Sequence, residues 1–113
     1  MSDAATLAQR QLDAYNSGDI DAFAACYAED VQVWDLHTGE LQYRGRARLI
    51  ERYGALFARC PDLHAELTGR LALTHTAVDQ ERVTGLIEGE VVHAIATYEV
   101  RDGLIIQVWF ARG

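Results

Sequence analysis

Asp35 is the residue whose placement is hardest to explain by folding alone. It ends the run Val31-Gln32-Val33-Trp34-Asp35, which alternates with period two. As a strand, this run points Asp35 the same way as two valines. A carboxylate on an apolar face is costly unless it is solvated, paired or neutral. A carboxylate held in such a place is a candidate general base. The competing reading is a turn aspartate that hydrogen-bonds the His37–Glu40 segment. His37 follows two residues later. It is placed either to orient Asp35 and shuttle a proton or to sit in a turn facing solvent. Tyr53 and Tyr98 are candidate hydroxyl donors. Tyr98 shares a strand face with Ala94, Ala96 and Val100, small residues that leave room above the sheet. In the alternative, both rings fill core with their hydroxyls satisfied. Asp79 and Glu81 lie two apart on one strand face. Cross-strand pairing with Arg70 is the expected account of both. Arg112 ends the last strand in phase with Val108 and Phe110. It either holds an anion at a pocket mouth or is a solvated terminal charge. Tyr53, Phe57, Phe110 and Arg112 are the residues expected to contact a ligand.

The elements that must position these groups are legible from pattern. Ser2 or Asp3 caps a first helix whose stripe is Ala4, Ala8, Leu12 and Tyr15. Gly18 is available for the left-handed position that ends it. Asp19 caps a second helix with Ile20, Phe23, Ala24 and Tyr27 on one stripe. The strand Val31–Leu36 follows, then a turn at His37-Thr38-Gly39-Glu40 and a short return strand, Leu41-Gln42-Tyr43. A third helix runs from about Arg46 to Arg59, with Leu49, Tyr53, Leu56, Phe57 and Cys60 on its apolar side. Pro61, the one proline, stops it. From Leu63 the period is two. Leu63, Ala65, Leu67, Gly69, Leu71 and Leu73 are expected on one face of a half-buried strand. Ala77–Leu86, Val92–Arg101 and Leu104–Arg112 complete the strands, with Asp102-Gly103 as a type I′ hairpin signal.

Helices first and consecutive strands after them mean an α+β fold in one domain spanning residues 1–113. The expected architecture is a cone: a strongly curved, mostly antiparallel sheet with three N-terminal helices on its concave face. A net charge of −7 argues against nucleic acid and anionic membrane as partners. No apolar run reaches the roughly 18–20 residues of a membrane span. No basic segment precedes an apolar one as in a signal peptide, so a cytoplasmic location is expected. Two cysteines without a Cys-x-x-Cys spacing read as free thiols. The four histidines show no metal-ligand spacing, and no glycine-rich phosphate loop or Gly-x-Ser-x-Gly is present.

The chain resembles the nuclear transport factor 2-like superfamily, of the SnoaL-like and ketosteroid-isomerase-like type. The resemblance is carried by Gly18-Asp19-Ile20 with Phe23, Tyr27-Ala28-Glu29-Asp30-Val31, Gly45, Tyr53, Phe57 and Tyr98-Glu99-Val100-Arg101-Asp102-Gly103-Leu104-Ile105. The order of elements extends it over the whole chain. These residues are mostly caps, turns and core, so they specify a fold shared by isomerases, cyclases, dehydratases and non-catalytic binders. In ketosteroid isomerases the base aspartate lies near the end of the first strand in a Val-x-Asp context, and Asp35 falls there. The helix-one tyrosine of that family aligns near Gln11, and its protonated aspartate near Ala96. The matched oxyanion donors are therefore missing, and a steroid isomerase is not expected.

Two function classes follow. One is an isomerase, cyclase or dehydratase that uses Asp35 as base on a small apolar or carbonyl-bearing molecule and needs no cofactor. The other is a non-catalytic binding or sensing dimer with the same pocket. The expectation of a dimer comes from the last strand. Leu104, Ile106, Val108 and Phe110 make one apolar face, and Ile105 and Trp109 flank Gln107 on the other. With helices on one side only, the outer face is expected to be covered by a second copy, with Trp109 near the centre.

Overall fold

The computed structural model describes residues 2–113. In chain order the elements are α1 (Ala4–Ser17), α2 (Ile20–Ala24), β1 (Tyr27–Asp35), β2 (Leu41–Arg44), α3 (Arg46–Arg59), β3 (His64–Ala72), β4 (Thr76–Thr84), β5 (Val92–Arg101) and β6 (Leu104–Arg112). The six strands form one sheet in the order β2-β1-β6-β5-β4-β3. Every neighbouring pair is antiparallel except β1 and β6, which run parallel. The architecture is the expected α+β cone, with three helices against one face of a curved sheet.

Local chemistry starts and stops the helices where the sequence places its caps. Asp3 accepts from the Thr6 amide at 2.9 Å, and Gly18 ends α1 at φ 68°. Asp19 accepts from the Ala22 amide at 3.0 Å and opens α2. That helix is shorter than its apolar stripe implies. It ends at Ala24, and Tyr27 is the first residue of β1 rather than a helical position. Asp102 at φ 53° and Gly103 at φ 75° make the β5–β6 turn, both in the left-handed region as type I′ requires. Asn16 closes α1 onto the edge strand. Its side chain donates to the Ala65 carbonyl at 2.9 Å and accepts from the Ala65 amide at 2.8 Å, in the manner of a neighbouring strand.

Phe23 is the hub of the core, 1 % exposed. Its ring centroid lies 4.6 Å from Tyr53, 5.0 Å from Tyr27, 5.8 Å from Phe57 and 6.2 Å from Tyr15. Tilted and edge-on aromatic pairs at such distances are favourable beyond the area they bury. The concave sheet face beneath carries Ala77, Ala96, Tyr98, Val100 and Val108, all buried.

Two register shifts correct the expected strand faces. Between Glu99↔Gln107 and Val100↔Ile105 the pairing leaves Ile106 as an extra residue in β6. A bulge moves every residue beyond it to the opposite face. Ile105 is therefore fully buried in the core and not on the outer face with Trp109. Between Leu67↔Glu81 and Gly69↔Gln80, Thr68 is the extra residue of β3. Beyond it Arg70 turns inward, and Leu71 and Leu73 turn outward, 77 % and 78 % exposed. The single apolar face expected from Leu63 to Leu73 is thus split in two.

The outer face still carries an apolar row. Leu41, Trp34, Trp109, Thr97, Val78 and Leu71 are successive register partners across all six strands. Trp34 stands beside Trp109 and donates through its indole nitrogen to Gln107 Oε1 at 2.9 Å. Gln107 in turn donates to Glu99 Oε2 at 3.1 Å. No helix of the chain is long and apolar enough to cross a membrane among the described residues.

Candidate functional site

A cavity of about 700 Å³ lies between the helices and the concave sheet face. That is within the range of small-molecule sites. Buried side chains, among them Gln11, Phe23, Tyr27, Glu81 and Tyr98, line its inner part. Exposed side chains of His37, Arg52, Arg59 and Arg112 line its rim. β5 contributes to this space by placing Ala94 in the cavity wall, where a larger residue would fill it. Ala94 sits between Glu81 and Arg112 in one cross-strand row, and Ala96 sits between Asp79 and Phe110 in the next.

Asp79 and Glu81, alike in sequence, have opposite fates. Asp79 is fully buried, and both its oxygens are taken by Arg70: Nε donates to Oδ1 at 2.7 Å and Nη2 to Oδ2 at 3.0 Å. Arg70 also donates to Gln9 Oε1 at 3.0 Å, which ties the pair to α1. This is the cross-strand pair expected from the sequence. Glu81 was expected to share it and does not. Only 6 % exposed, it makes no hydrogen bond or ion pair among the described residues, and because no fully enclosed side-chain oxygen there is without a partner, its carboxylate opens to the cavity it lines. Burial, reinforced by the charge of Asp79, pushes its carboxyl up to about 7. Sequence reasoning passed over Glu81 because an in-phase arginine was available for both carboxylates. The bulge at Thr68 is what reserves Arg70 for Asp79.

Three phenols surround Glu81. Tyr15, Tyr53 and Tyr98 line the cavity, and their hydroxyls make no hydrogen bond among the described residues; since no fully enclosed side-chain nitrogen or oxygen there lacks a partner, these hydroxyls open to the cavity space. Each ring is part of the core, as one reading of Tyr53 and Tyr98 held, but the hydroxyls are left free. Burial raises the pKa of all three, and the Glu81 charge raises them further. They stay protonated and serve as donors. Tyr27 differs: its hydroxyl donates to Gln11 Oε1 at 3.3 Å, and Gln11 donates to the Ala8 carbonyl at 3.0 Å.

The remaining expected site residues are placed as follows. Asp35 lies half-buried at the rim beside Phe110, its register partner. Its Oδ1 accepts from the amides of His37 at 2.8 Å and Thr38 at 3.1 Å, the turn role foreseen as the alternative to catalysis. The His37 ring meets the Arg112 carbonyl through Nε2 at 3.2 Å, so it braces the β1–β2 turn against β6 instead of orienting the Asp35 carboxylate. Tyr53, Phe110 and Arg112 line the cavity. Phe57 does not. It packs edge-on against Tyr15 at 5.6 Å and Phe23 at 5.8 Å, in the ring cluster behind the wall. Arg52 lies 4.6 Å over the Tyr43 ring. No group of three or more His, Cys, Asp or Glu side chains able to hold a metal ion occurs among the described residues.

Comparison with known proteins agrees with this architecture. A candidate ketosteroid isomerase from Kribbella flavida is 28 % identical, with a TM-score of 0.80 over 95 % of this chain and 75 % of that one. An uncharacterized cystatin-fold protein from Novosphingobium aromaticivorans is 24 % identical, with a TM-score of 0.86 over 99 % of both chains. A candidate polyketide cyclase from Sinorhizobium meliloti is 21 % identical, with a TM-score of 0.78 over 93 % of both. The last two show the shared fold alone. No curated protein matches the sequence. Residues 8–108 match the family described as the SnoaL-like domain, and with that match over most of its length the chain belongs to the SnoaL-like family.

Proposed function

We propose that the protein binds a small, largely apolar, carbonyl-bearing molecule in the cavity and moves a proton on it without a cofactor. The observation that carries this reading is Glu81, a buried carboxylate with no partner that opens into a cavity ringed by free phenols. A carboxyl that titrates near 7 is populated in both forms at neutral pH, which suits general acid–base work. Glu81 takes a proton from the carbon beside the carbonyl. The charge moves to the carbonyl oxygen, where Tyr15, Tyr53 or Tyr98 donates to it. Returning the proton at another carbon gives isomerisation; attack of the enolate carbon on a second carbonyl of the same molecule, whose oxygen takes the proton back from Glu81, gives cyclisation; and expulsion of a β-hydroxyl, which leaves as water with that proton, gives dehydration. Asp35, the base expected from the sequence, is the second carboxylate of the site at its rim, with Oδ2 free. The Kribbella flavida relative's designation as an isomerase supports this class of chemistry.

The test is hydrogen exchange. Cyclic ketones led by 2-tetralone are incubated with protein in deuterium oxide, and loss of the α-proton signals is followed by NMR. The expected outcome is exchange faster than buffer in the wild type and at the buffer rate in Glu81→Gln. Exchange lost in Asp35→Asn but kept in Glu81→Gln transfers the role to Asp35. Exchange at the buffer rate across the panel leaves the non-catalytic binding or sensing domain, a reading favoured by the turn hydrogen bonds of Asp35.

We further propose that the protein pairs with a second copy through its outer sheet face. The row from Leu41 to Leu71, centred on Trp34 and Trp109, supports this. Cys26 and Cys60 are buried free thiols, which suits a reducing compartment such as the cytoplasm.

A further inference from the structure

All ten lysine or arginine positions of this acidic chain are arginines, and three of them line the cavity. Arg52 and Arg59 come from α3, and Arg112 comes from the end of β6. All three are exposed, and none forms an ion pair among the described residues, where only Arg70–Asp79 and Arg82–Glu66 do. Arg112 lies near enough to the inner phenols that its charge lowers the pKa of Tyr15 and Tyr53 against the stronger effect of burial. The rim carboxylate of Asp35 has one oxygen occupied by the turn. The rim is therefore cationic on a molecule of net charge −7. Beneath it, the walls are aromatic and aliphatic apart from Gln11 and Glu81.

We propose that the ligand is an apolar molecule ending in a carboxylate, held with the carboxylate outward at Arg112, Arg59 and Arg52 and the apolar body inside. The guanidinium fork matches a carboxylate with paired charge-assisted hydrogen bonds. The spacing suits a molecule with a second polar group. Glu81 and Arg112 are two strands apart across Ala94, or roughly 10 Å at the usual strand spacing. A ligand anchored at Arg112 thus brings an atom several bonds away to Glu81. Arginines at a rim also raise the encounter rate of an anion that the rest of the surface repels. This inference rests on reading the cavity as a ligand site, and it is independent of whether Glu81 moves a proton.

The test uses two probes that differ only in the head group, 5-phenylvalerate and 5-phenylpentan-1-ol, titrated calorimetrically at pH 8. The acid is expected to bind about tenfold tighter than the alcohol, the scale of one charged hydrogen bond. Raising salt is expected to weaken the acid and leave the alcohol unchanged. Arg112→Gln is expected to remove most of the preference, with Arg59→Gln and Arg52→Gln removing the rest. These side chains are exposed, and melting curves check that the variants fold. Equal affinity for the two probes overturns the inference and leaves the cavity reading intact. A preference that survives all three substitutions overturns it as well. Failure of both probes to bind overturns it together with the ligand site. Loss of ketone exchange in Glu81→Gln bears on proton transfer alone.

Discussion

Glu81 and Arg112 occupy one cross-strand row of the concave face, separated only by Ala94, and they form no ion pair. An anionic and a cationic side chain line the same cavity without meeting. The row is a consequence of register. Ala94 pairs with Glu81 on one side and with Arg112 on the other, so both charged residues point inward with an alanine between.

The unpartnered state of Glu81 has a stability consequence. Its folded pKa is raised from 4.5 to about 7, so between those values the folded protein holds a proton that the unfolded chain has released. Stability therefore falls as pH rises through this window, and the cost is fully present above about pH 7. It is on the order of 3 kcal/mol. Glu81→Gln is expected to flatten this part of the pH profile and to raise the urea midpoint at pH 8 while leaving it nearly unchanged at pH 4.5. A midpoint at pH 8 that does not rise would show that Glu81 is solvated in the fold.

Asp79 behaves in the opposite sense. Asp79→Ala leaves Arg70 turned inward without its counter-charge, and breaking a buried pair in this way costs about 3–5 kcal/mol. Replacing both together, as in Arg70→Met with Asp79→Leu, is expected to cost much less than Asp79→Ala alone. Denaturant midpoints of the three variants measure the difference. A double variant as unstable as the single one would show that packing, not charge, dominates at this pair.

Phe23→Ala is expected to destabilise the fold by about 3–5 kcal/mol, as for other buried aromatics. Four aromatic rings lose their shared neighbour when it is removed. Phe57→Ala is expected to cost less, because Phe57 is only partly buried. Equal shifts in the two midpoints would count against Phe23 as the hub.

The paired tryptophans set the expectation for assembly. Light scattering at micromolar concentration is expected to give the mass of a dimer. Trp109→Ala is expected to shift it toward monomer, since truncating a central aromatic commonly costs about 2 kcal/mol or more. Trp34→Ala should act in the same direction, because Trp34 stands beside Trp109 on the outer face. A monomeric wild type would leave the outer row without a partner of this kind.

The elements of this protein are determined locally, and so they are legible along the chain. Asp3, Gly18 and Asp19 cap helices through bonds to residues within a few positions. Asp102 and Gly103 form their turn from their own backbone preferences. α3, β5 and β6 therefore span the residues that pattern alone assigns them. Faces and partners are different, because they depend on pairing between strands. One extra residue at Ile106 buries Ile105, and one at Thr68 exposes Leu71 and Leu73 while turning Arg70 to Asp79. Period-two reasoning carries no information about such insertions, since each strand alternates equally well in either phase. Asp35 attracted attention by its phase with two valines, yet its Oδ1 serves the turn two residues on. Glu81 resembled half of a structural pair and was left alone in the cavity. The difference between the two carboxylates of β4 arises only when Arg70 arrives from another strand and can reach one of them.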